Sequence, residues 1–161
     1  MISEHLVEQA AEILQDSEES YDRTVEAFQQ DQPVLLSYFF TENFQAFTQN
    51  EKEYLLYLML VIWKAVSLSG EEYSTITEQQ LSEAEDRNWD KLQGVKAKGF
   101  HERLNIFFSQ YAQEDLLAFV EDALAEEDND VLVTKEGREA MFVSLKSAID
   151  CLTGAGQAAG A

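Results

Sequence analysis

The chain has 161 residues, 31 of them acidic and 11 basic, for a formal net charge of −20. That length suits one domain able to bury a core without a metal or disulfide, and 45% apolar residues with ten Phe, six Tyr and two Trp exclude a disordered chain. A polyanion of this strength repels nucleic acid and anionic membranes, so neither is expected as a partner.

Cys151 is the single cysteine, which rules out an intrachain disulfide and suits a reducing, cytoplasmic setting. The start, Met1-Ile2-Ser3-Glu4-His5, lacks the basic and apolar segments of a secretory signal. The most apolar run, Tyr54 to Trp63, is half the length a bilayer span needs and reads as a buried core helix.

In chain order, Leu6, Ala10, Ile13 and Leu14 mark one face of a first helix. Asp16-Ser17 ends it and Ser17 caps a second, with Glu18 and Glu19 in its first turn and Tyr21, Val25 and Phe28 at i, i+4, i+7. Pro33 suits the first turn of a short third helix through Phe39-Phe40, and Thr41 offers a cap for a further turn carrying Phe44 and Phe47. Asn50 is the expected N-cap of a central helix over 51–69, apolar on nearly all faces, with Gly70 as its stop. Thr77-Glu78-Gln79-Gln80 has the capping-box pattern, and the helix it opens carries a thin stripe of Leu81, Ala84, Trp89 and Leu92.

Residues 94–99 read as a loop. Beyond it, Leu104, Phe107, Phe108 and Tyr111 form an amphipathic repeat, and Leu116, Leu117, Val120 and Leu124 form another. The run Glu126-Glu127-Asp128-Asn129-Asp130 is expected to be a solvated turn, followed by Val131-Leu132-Val133, too short for a sheet. Thr134 then caps a last helix with an inner face of Met141, Phe142, Leu145, Ile149 and Leu152, stopped by Gly154. The reading is an all-α, single-domain bundle or array of seven to eight helices over 1–153 around the central helix at 51–69, with a flexible tail at 154–161.

Site chemistry is sparse. The two His residues stand far apart, neither in a Glu-x-x-His pattern, and His5 with Glu8 and Glu12 is a weak ligand set. The acidic turn lacks the glycine of a calcium loop in either register. Cys151 has no basic neighbour in sequence to activate it, so it reads as a buried structural thiol. No nucleophile elbow, P-loop or dinucleotide fingerprint occurs, and no catalytic residue, metal or cofactor is expected. The aromatics Tyr38, Phe39, Phe40, Phe44 and Phe47 read as core, with a ligand pocket or partner groove as alternatives.

One local asymmetry stands out. Arg87, Lys91, Lys96, Lys98 and Arg103 place a basic island inside the polyanion, ahead of a helix start near Phe100-His101. Lys91, Lys96, Lys98 and Arg103 are therefore candidate contacts for an anion or a partner, against the plainer reading that they pair with the protein's own acids. The chain reads as a non-enzymatic, acidic helical protein–protein interaction module, with a basic protein partner or self-association expected. The alternatives are a nucleic-acid mimic that occupies a basic cleft, and a small-molecule-binding bundle.

Overall fold

The structure, a computed structural model, describes residues 1–38, 47–125 and 134–155. These form eight helices: α1 (Glu4–Asp16), α2 (Glu18–Asp31), α3 (Pro33–Tyr38), α4 (Gln49–Ser69), α5 (Glu78–Gln93), α6 (Phe100–Phe108), α7 (Glu114–Ala125) and α8 (Lys135–Thr153). There is no strand among the described residues. The fold is the all-α array expected from the periodicity. The expected turns at Thr41, Phe44 and 126–133, and the tail from 156 on, lie outside the described residues.

Helix ends follow local chemistry. Ser17, Thr77 and Thr134 each accept a backbone N–H with the side chain, as their positions predict. Gly70 and Gly154 end α4 and α8 at φ 74° and 73°, a left-handed conformation that glycine enters without a Cβ penalty. The cap of α4 differs from expectation: it is Thr48, not Asn50. Thr48 and Glu51 make a reciprocal capping box, and this pair satisfies two backbone donors where Asn50 would satisfy one.

α4 lies at the centre, with every residue from Leu58 to Trp63 buried. It shares that position with α8, whose residues 141–150 are all buried. The single inner face expected for α8 is thus corrected, because α4, α5 and α7 pack against it from different sides. α1 packs on α4, α2 on α1 and α4, and α5 on α8. α7 touches both α8 and α1, and α6 sits between α5 and α7.

Two stripes are rotated from their expected positions. In α1 the buried row is Val7, Ala10 and Leu14, with Leu6 half-buried. In α5 it is Leu81, Ala84, Asn88 and Leu92, and Asn88 displaces Trp89 because α5 turns this face to α8.

Candidate functional site

Two polar constellations stand out, one closed and one open. The closed one lies between α5, α8 and the turn before α7. Lys146 Nζ donates to Asn88 Oδ1 at 2.9 Å and to both oxygens of Asp150, at 3.2 and 2.9 Å. Asn88 Nδ2 donates to Ser147 Oγ and to Asp150 Oδ2, and the Tyr111 hydroxyl donates to Asp150 Oδ1. The Lys146 ammonium also lies 5.2 Å from the Phe107 ring centroid and 4.7 Å from that of Tyr111, within cation–π range.

Lys146 and Asp150 are each 3% exposed, so every one of these bonds replaces lost water. Burial pulls the Lys146 ammonium below its usual range, against the pull of the Asp150 charge. Burial and the Asp150 carboxylate push the Tyr111 phenol well above its own range. All three ammonium hydrogens and both carboxylate oxygens are used internally, so the network holds α5 against α8 and leaves nothing to address a ligand. Cys151, beside it, is half-buried rather than buried, and burial pushes its thiol up to about 11, far from an activated thiolate.

The open constellation is a groove of about 440 Å³ between α1 and α7, floored by α4. One wall is Glu4, Val7, Glu8 and Ala11; the other is Asp115, Ala118, Phe119, Asp122 and Ala123. Tyr54, Tyr57 and Leu58 form the floor. The space exists because three positions facing it, Ala11, Ala118 and Ala123, are alanines.

The two walls are joined at one end. Ile2 N–H donates to Gln113 Oε1 at 2.8 Å and Glu4 N–H to Asp115 Oδ2 at 3.1 Å, so α1 and α7 begin side by side. The floor is held as well. Tyr54 Oη donates to the Ala123 carbonyl at 3.0 Å, Gln15 Nε2 donates to Tyr57 Oη at 2.6 Å, and the two rings stack with centroids 6.4 Å apart. A surface organised before binding loses less entropy when it is occupied. Its chemistry is an apolar, aromatic trough between two rows of carboxylates.

The basic island is placed differently. Arg103 turns inward: its Nε donates to Glu139 at 2.9 Å and its Nη1 to the Val95 and Ala97 carbonyls. It staples the 94–98 loop to α8. Lys91, Lys96 and Lys98 are exposed, as is Arg87. At the start of α6, Glu102 folds its carboxylate over Gly99, and His101 pairs with Glu121 of α7. The protein's own acids thus occupy Arg103 and the start of α6, while Lys91, Lys96 and Lys98 remain exposed.

Of the aromatic cluster, Tyr38 and Phe47 are partly buried against the core, while Phe39, Phe40 and Phe44 lie outside the described residues. Among the described residues no group of three or more His, Cys, Asp or Glu side chains is placed to hold a metal. No described helix is long and apolar enough to cross a membrane.

Sequence reasoning missed both constellations. Asn88 carried a signal, since it falls in register with Leu81, Ala84 and Leu92; Lys146 and Asp150, at i, i+4, have a spacing that an exposed ion pair on a helix surface shares. The groove left no signal in any one helix, because Glu4 and Glu8 beside Val7 and Ala11 form an ordinary amphipathic boundary. Compared with known protein families, curated proteins and solved structures, the chain matches none, so its functional reading rests on the groove's own chemistry.

Proposed function

We propose that the protein is a non-enzymatic interaction module that takes a basic segment of a partner protein into the groove between α1 and α7. The observation that carries this reading is the pairing of an apolar floor with a carboxylate row on each wall, Glu4 and Glu8 on one side and Asp115 and Asp122 on the other. Apolar contact supplies affinity, and the rows select positive charge and speed encounter. A groove of this size belongs to small, transient interfaces, with dissociation constants on the order of micromolar.

The test is a titration of isotope-labelled protein with short Lys- and Arg-rich peptides that contain apolar residues. Amide shifts are expected to concentrate at Val7, Ala11, Ala118 and Phe119. Shifts spread evenly over the acidic surface, α2 included, would sink the reading.

A second reading, occupation of another protein's nucleic-acid cleft, draws support from one feature. Glu4, Glu8, Glu12 and Asp16 are all exposed and recur every fourth residue along α1, which spaces them roughly 6 Å apart along the axis. Single charge reversals at Glu12 and Asp16, outside the groove, distinguish the two. They weaken binding to a basic cleft and leave groove binding intact.

A further inference from the structure

We infer that the groove's occupant is an amphipathic α-helix with basic flanks, lying lengthwise between α1 and α7; the inference rests on the groove reading above.

The first argument is backbone hydrogen bonding. No strand edge is present among the described residues. The wall and floor residues all lie within helices α1, α4 and α7, whose backbone groups away from the helix ends are bonded within the helix, while at the ends the Glu4 N–H and the Ala123 carbonyl are taken by Asp115 and Tyr54. An extended segment laid on this floor would bring N–H and C=O groups into an apolar trough with no partner for them. A helix arrives with those groups already satisfied, and helix-in-groove docking is the recognition mode that uses this.

The second argument is dimension. The α1 wall presents residues at i, i+3, i+4 and i+7 from Glu4, and the α7 wall repeats that spacing from Asp115. Both walls therefore run roughly 10–12 Å, two helical turns. Two turns of a partner present one short apolar row at i, i+3 or i+4, and i+7. The alanines at 11, 118 and 123 let the partner's backbone approach closely.

The third argument is charge placement. Acids line both rims rather than one. The helix that fits thus carries Lys or Arg on both sides of its apolar row.

Two synthetic peptides of identical composition test this, each built from Leu, Lys, Ala and one Pro. In the first, Leu repeats at i, i+4, i+7 between Lys rows, and Pro occupies the first turn, where a helix tolerates it. In the second, the same Pro stands at the centre and breaks the helix. Binding is measured by calorimetry at physiological ionic strength, with far-ultraviolet circular dichroism of the mixture. Proteins are wild type, Ala118→Trp to fill the groove, the double variant Glu8→Lys/Asp122→Lys, and Glu26→Lys on exposed α2 as a charge control.

The first peptide should bind wild type and the α2 control alike, gain helicity, and bind both groove variants at least about tenfold more weakly. The centre-broken peptide should bind wild type at least about tenfold more weakly than the first. Equal binding of both peptides, with both lost in the groove variants, overturns the helical occupant and leaves the groove reading standing. Binding that ignores the groove variants, or falls as much with Glu26→Lys, overturns the groove reading itself. Should Ala118→Trp fail to fold, the double variant, built from two exposed positions, decides alone.

Discussion

Lys146 shows how context decides what a charged residue is worth. Its ammonium is enclosed by Asn88, Asp150, Phe107 and Tyr111, and the attraction within the pair chiefly offsets the cost of removing both charges from water. Asp150→Ala would strand that ammonium and should cost about 3–5 kcal/mol in urea denaturation. Replacing both partners, Lys146→Met with Asp150→Leu, should recover most of the loss. Recovery failing would mean that the network orders α5 against α8 beyond its charge balance. His101 offers a milder case at the surface. The hydrogen bond to Glu121, and then the Glu121 charge, raise the imidazole above its ordinary 6.5. A raised folded-state value means that the stabilisation is fully present below about pH 6.5 and is lost as pH rises through the folded value. The stability difference between wild type and His101→Asn should therefore shrink as pH rises above about 6.5. A constant difference would show that the pairing is not ionic.

At the scale of elements, Glu51 ties two helix starts together. Its Oε1 accepts the Thr48 N–H of α4, and its Oε2 accepts both the N–H and the hydroxyl of Thr134, the cap of α8. A Cβ at Gly137 would lie 2.0 Å from that same Oε2. Ala in place of Gly inside a helix ordinarily gains up to about 1 kcal/mol. Here Gly137→Ala should instead cost about 1–3 kcal/mol, because the buried carboxylate can yield only by giving up the α8 cap. In a Glu51→Ala background the same change should turn neutral or stabilising, and a double-mutant cycle by thermal unfolding measures the coupling. At Gly99 the atom in the way belongs to the exposed Glu102, free to swing aside, so Gly99→Ala should be tolerated. The reach from Glu51 to Thr134 was illegible in the sequence because it joins residues 83 positions apart. The Thr48–Glu51 half left a local signature, a Thr three residues before a Glu, which the choice of Asn50 as the cap passed over.

For the whole molecule, a net charge of −20 on 161 residues sets up repulsion that the compact state must bear. Added sodium chloride screens it, so the melting temperature should rise from about 10 mM to about 1 M salt. A fall would mean that surface ion pairs such as Met1–Glu71 and His101–Glu121 outweigh the repulsion, although exposed pairs of this kind each contribute little. The same repulsion bears on the groove, whose rim brings acids of two different elements together over apolar ground.

Taken by itself, the sequence determined the helical class, the elements' approximate extent and most of their ends. Each of these depends on residues within a turn or two of one another: Ser17, Thr77 and Thr134 as caps, Gly70 and Gly154 as stops, Leu116 to Leu124 as one face. Only the tertiary structure decided which polar residues are buried and where an opening remains. Asn88, Lys146 and Asp150 become one network only when α5 docks on α8, and Glu4, Glu8, Asp115 and Asp122 frame one groove only because α1 and α7 begin side by side. The physical reason is range: capping and periodicity act along the chain, whereas desolvation and charge placement depend on which faces meet across it.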